Sequence, residues 1–125
     1  MKTKEISRNE WREFFDIFSR QHEGWLVTLE ILGADIGAQV EERWLAFEGI
    51  VDESDEVHGS EILIMFGAKP DDHITHSISN PTTVSLEQTD EGADTALAIK
   101  SADGVTALLR FRSAVLPEMV DAVAV

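Results

Sequence analysis

The stretch Leu97-Ala98-Ile99-Lys100-Ser101-Ala102-Asp103-Gly104-Val105-Thr106-Ala107-Leu108-Leu109-Arg110-Phe111-Arg112 decides the class of fold. Leu97 and Ile99 alternate with Ala98 and Lys100. Beyond the turn, Val105, Ala107, Leu109 and Phe111 share one face while Thr106, Arg110 and Arg112 share the other. A period of two belongs to a strand with one side on a core. Ser101-Ala102-Asp103-Gly104 reads as a hairpin turn, with Gly104 supplying a left-handed backbone conformation that other residues resist. The two strands are therefore antiparallel neighbours.

The same pattern extends upstream. From Trp25 to Leu32, Trp25, Val27, Leu29 and Ile31 fall on one face, with Thr28 and Glu30 on the other, and Gly33 to Gly37 supplies a reversal. The run from Ala38 to Val51 changes phase: Leu45 and Phe47 have odd parity, Val40, Trp44 and Ile50 even, which predicts a bulge near Glu42-Arg43. Ile62-Leu63-Ile64-Met65-Phe66 is unbroken apolar sequence, suited to a central strand covered on both faces. Gly67 and Pro70-Asp71-Asp72 interrupt the chain before His73 to Ser79, and Asn80-Pro81 turns it into Thr83 to Thr89.

Helical signals sit at the two ends. Met1-Lys2-Thr3-Lys4-Glu5 runs toward Ser7-Arg8-Asn9-Glu10, which has the capping-box pattern. Trp11, Phe14, Phe15 and Phe18 then form an apolar stripe opposite Arg12, Glu13, Asp16 and Arg20, and Gly24 ends the helix. Leu116-Pro117-Glu118-Met119-Val120-Asp121 reads as a short C-terminal helical turn. The expected fold is α+β: a mostly antiparallel sheet of six to seven strands, open or rolled into a partly closed barrel, with the amphipathic N-terminal helix packed on it. With no repeat or linker, residues 1–125 make one domain.

Composition removes whole classes of function. The 125 residues include no cysteine, which excludes disulfides, thiolate metal sites and cysteine nucleophiles. Ten basic residues against 24 acidic ones give a net charge of −14, which repels nucleic-acid phosphates and anionic lipid. Arg110 and Arg112, two apart on one strand, fall far short of a nucleic-acid footprint. No segment approaches the roughly 18 apolar residues of a membrane span, and nothing resembles a signal peptide. A cytoplasmic protein contacting neither nucleic acid nor membrane is expected.

Few residues promise chemistry. His73-Ile74-Thr75-His76 follows Asp71-Asp72, but a spacing of three puts the imidazoles on opposite faces of a strand, so no metal site is expected. His76 shares parity with Ile74 and Ile78, which predicts a buried or half-buried ring bonded to a carboxylate or carbonyl. The acidic loops at 52–56 and 90–94 lack EF-hand spacing. G-x-S-x-G, G-x-x-x-x-G-K-[ST] and G-x-G-x-x-G are all absent, so no catalytic residue and no cofactor is named.

Several stretches together carry a resemblance: His22-Glu23-Gly24-Trp25-Leu26-Val27-Thr28, Gly37-Ala38-Gln39-Val40-Glu41, His73-Ile74-Thr75-His76, Asn80-Pro81, Leu86-Glu87-Gln88-Thr89-Asp90-Glu91-Gly92-Ala93, Leu109-Arg110-Phe111-Arg112-Ser113 and Leu116-Pro117-Glu118-Met119. Across nearly its whole length the chain resembles an uncharacterised prokaryotic family of short proteins, domain-of-unknown-function family 5335. The resemblance implies a free-standing domain and brings no activity, cofactor or catalytic residue with it.

Two functions fit these observations. One is a non-catalytic module that binds a protein partner or itself, using an edge strand, the aromatic helix or the apolar tail Val120 to Val125. The alternative is a small-molecule binder or hydrolase with a pocket between helix and sheet, lined by His76 and His73 with Trp25 or Trp44.

Overall fold

The computed structural model describes residues 2–33, 37–57, 59–69 and 72–115. Its elements are β1 (Lys2–Ile6), a 3-10 turn (Arg8–Glu10), α1 (Trp11–His22), β2 (Leu26–Gly33), β3 (Gly37–Asp52), β4 (Glu61–Lys69), β5 (Asp72–Ser79), β6 (Pro81–Gln88), β7 (Asp94–Ser101) and β8 (Thr106–Val115). The hairpin expected at 101–104 joins β7 to β8, and Gly104 has φ 87°. All strands pair antiparallel in one sheet of order β1-β6-β7-β8-β2-β3-β4-β5, which does not close.

Among the described residues eight strands replace the six to seven expected, and the addition is β1. Residues 2–5 do not run into the helix; they pair with β6, from Lys2 opposite Gln88 to Ile6 opposite Val84. Only Ile6 of this strand is buried, so no apolar alternation marked it. The capping box does not form either. Ser7 makes no side-chain cap bond, and the Glu10 N–H instead donates to the Ser7 carbonyl at 2.9 Å, closing the 3-10 turn that precedes α1. The expected C-terminal turn at 116–121 and the tail 120–125 lie outside the described residues.

Connectivity bends the sheet. β5 and β6 stand six places apart in the strand order, which in a flat sheet would separate them by about 29 Å at roughly 4.8 Å per strand. Asn80 alone joins them, and one intervening residue reaches only about 7 Å. The sheet must therefore curl until its far sides meet at this corner, with β5 and β6 forming one strand that passes from one half to the other. Asn80 takes φ 53°; its N–H donates to Ser60 O at 2.9 Å, and its carbonyl accepts from Ala102 N–H at 3.0 Å. A single hydrophobic cluster fills the concave side, with members from α1 and every strand, including Trp11, Phe15, Leu29, Ile64, Val84 and Leu97.

The phase change in β3 has two sources where one was expected. Against β2, the register slips where Val27 faces Leu45 and Leu29 faces Glu42, and again before Glu30 faces Val40. Against β4 it slips at Glu48, so Phe47 and Ile50 both face the core despite opposite parity. β4 itself is covered on one face only: Ile62, Ile64 and Phe66 are buried, while Leu63 and Met65 are half-buried. It lies next to the edge of the sheet, not at its centre.

The helix completes β3. β2 begins only at Leu26, opposite Ala46, which leaves the rest of β3 without a strand on that side. There Gly24 N–H donates to Phe47 O and Phe47 N–H to Trp25 O. Farther along, the Ser19 hydroxyl accepts from Ile50 N–H at 2.9 Å and donates to Ile50 O at 3.2 Å. One serine thus satisfies both backbone groups that a missing strand would have paired.

Candidate functional site

The four candidate residues do not share one pocket. His76 lies opposite Ile64 on the core side of β5 and is half-buried, but no described residue hydrogen-bonds its ring. An edge strand explains this, since water can reach a ring that an interior position would have forced to find a protein partner. His73 points to the other face, as the spacing requires. Its Nδ1 lies 2.9 Å from Glu48 Oε1, and the Glu48 carboxylate lies over Gly67, where a Cβ would come within 3.1 Å of it. Trp44 is 43% exposed at φ 51°, in the irregular part of β3. Trp25 is half-buried among aromatic rings.

A groove of about 610 Å³ does lie between helix and sheet, lined by Arg12, Asp16, Ser19, Glu48, Asp52 and Met65 among others, and none of the four candidates contributes to it. Its best-organised group is Asp52, whose side chain is almost wholly covered. Burial alone would raise its pKa. The Ser54 hydroxyl and N–H, and the Arg8 guanidinium at 2.9 Å, outweigh that and hold the carboxyl below the usual carboxylate range.

The most concentrated polar chemistry lies elsewhere, on a residue the sequence analysis did not single out. His22, at the C-terminus of α1, is completely buried. Its ring stacks on Phe111 at 4.6 Å, and meets Phe18 at 4.3 Å and Trp25 edge-on at 4.9 Å. Nδ1 lies 2.8 Å from Phe18 O, so it must carry a proton and donate. Nε2 lies 3.1 Å from Asp94 Oδ2, an ion-pair distance without hydrogen-bond alignment. Asp94 is also buried, and its Oδ1 accepts from Gln88 Nε2 at 2.8 Å. Nε2 and Asp94 Oδ2 thus face one another inside the protein at close range, with no hydrogen bond formed between them.

The signal for His22 was present. Trp11, Phe15, Phe18 and His22 recur at i, i+4, i+7 and i+11, and these are the buried residues of the helix. Extending the stripe by one turn finds it, although nothing in the sequence pairs it with Asp94, 72 positions away. Full enclosure keeps substrate from this pair, so its arrangement supports structure and not turnover. Among the described residues no group of three or more His, Cys, Asp or Glu is placed to hold a metal ion.

The model of a family of unknown function, DUF5335, matches residues 2–119, and the chain belongs to that family. An uncharacterized protein of Aquifex aeolicus (strain VF5) is 31% identical over 120 residues, covering 94% of this chain and 100% of its relative. No solved structure matches the chain. Two of the stretches that carried the resemblance, around His22 to Trp25 and Phe111, meet at the buried histidine, and Gln88 of a third bonds its neighbour Asp94.

Proposed function

We propose that this member of the DUF5335 family is a non-catalytic module acting by contact with a protein partner or with itself, in the cytoplasm and away from nucleic acid and membranes. The observation that carries this reading is the outer edge of β5. Eight residues long, it ends the sheet, and no described strand pairs with it. An open edge presents a row of backbone donors and acceptors to an extended segment. The groups fit for chemistry are either enclosed, as His22 and Asp94 are, or already engaged at the surface, as His73 is by Glu48. Arg110, half of the nearest basic pair, lies 3.3 Å from Glu30. No helix among the described residues is long and apolar enough to cross a membrane.

A photo-crosslinking group placed at Thr75, exposed on β5, tests the reading in the host cell. A discrete protein adduct is expected, weaker when the group is moved to Asp103 in the β7–β8 turn. Equal or absent adducts at both positions would defeat it. The small-molecule alternative is favoured by the helix-sheet groove, and predicts that native mass spectrometry of gently purified protein shows a stoichiometric metabolite lost on Gly49→Leu, which fills that groove.

A further inference from the structure

We infer that the segment seated on β5 is β5 of a second copy of this chain, paired antiparallel about a two-fold axis so that two sheets become one; the inference rests on the contact reading above. Charge is the first argument. The chain carries −14 overall and 27% charged residues, yet His73-Ile74-Thr75-His76-Ser77-Ile78-Ser79 contains no Asp, Glu, Lys or Arg. Two copies repel one another over most of their surface but not here. Asp72, the first residue of β5, stands at the end of this run, and the carboxylates of Glu48 and Glu61 on the neighbouring strands are drawn back onto the sheet, Glu48 by His73 Nδ1 at 2.9 Å and Glu61 by the Ser77 hydroxyl at 2.8 Å.

Geometry is the second argument. From Gly67 opposite His73 to Glu61 opposite Ser79 the register with β4 runs without a bulge, so the edge is regular along its length. An antiparallel pairing centred on His76 preserves faces, and sets Ile74 against the partner's Ile78. The half-buried Ile74 and His76 would thereby lose their remaining exposure on the core side, in line with Phe66 and Ile64. The other end of the sheet is unlike this one. β1 carries Lys2, Lys4 and Glu5, all exposed, the charges that discourage edge pairing. A head-to-tail chain of copies is disfavoured, and assembly closes at two.

Sedimentation of the full chain across a wide concentration range, with hydrogen exchange of the β5 amides that point away from β4, tests this. The expected result is a species of twice the subunit mass, with β5 amides that slow as dimer forms. Thr75→Lys brings two ammonium groups close to the axis and should raise the dimer Kd by roughly tenfold or more, because like charges facing one another oppose association. A monomer throughout, with fast β5 amides, would overturn the self-pairing while leaving another partner to the crosslinking experiment. So would a dimer indifferent to Thr75→Lys, or outward-pointing β5 amides already slow in the monomer, which would mean the edge is covered from within the chain.

Discussion

At the scale of single residues, His22 and Asp94 show how much a buried polar contact asks of its surroundings. Each is enclosed, and each is left with an unmatched group if the other is removed. Asp94→Ala should lower stability by about 3 kcal/mol, the usual loss when one partner of a buried pair is taken away. Replacing both with apolar residues, His22→Phe with Asp94→Leu, should restore most of that loss in chemical denaturation, giving a large coupling in the double-mutant cycle. Asp52 makes a different prediction. Because its folded carboxyl titrates below the usual range, its contribution is complete above the unfolded pKa, near 4, and is lost as pH falls through the lower folded value. The stability gap between the native chain and Asp52→Asn should hold from neutral pH to about pH 4 and narrow on further acidification. His22 was legible in the helical stripe, whereas its partner was not. A contact between residues so far apart in sequence depends on strand order, which local periodicity does not contain.

At the scale of elements, α1 stands where a strand would stand. Its aromatic stripe was readable as an amphipathic face, but the sequence could not show that Ser19, off that stripe, would serve the backbone of Ile50. Ser19→Ala removes one donor and one acceptor from a partly buried position and should lower stability by about 1 to 2 kcal/mol. The Ile50 amide should then exchange faster than its neighbours, which separates this effect from a general loss of helix. Strands with one apolar face, β2 and β8, were plain from alternation. β1 was not, because a short edge strand exposed along most of its length has no buried side to leave a period. The bulges of β3 were visible as broken parity but not countable, since parity records only whether residues are odd or even and two slips can mask one another.

At the scale of the whole molecule, the Asn80 corner sets the shape, and its cost should be measurable. A β-branched side chain at φ 53° meets the backbone of its own residue, so Asn80→Val should cost about 1 to 2 kcal/mol while Asn80→Gly stays near neutral in thermal denaturation. Asn80-Pro81 was legible as a turn, but not as the place where opposite sides of a sheet converge, because that meaning comes only from the other six strands. The pairing of β1 with β6 carries a consequence for the history of each molecule. Lys2 to Ile6 must wait for residues 84–88, and His22 for Asp94. The helix can meet β3, where Phe18 packs on Phe47, before either of these later partners has been synthesised, so a chain leaving the ribosome gains its helix cover early and its β1 and His22 contacts late. Closure of the sheet follows the synthesis of β6 and β7, and until then the unpaired β1 and the end of the helix at His22 are the parts a growing chain has to keep from the wrong neighbour.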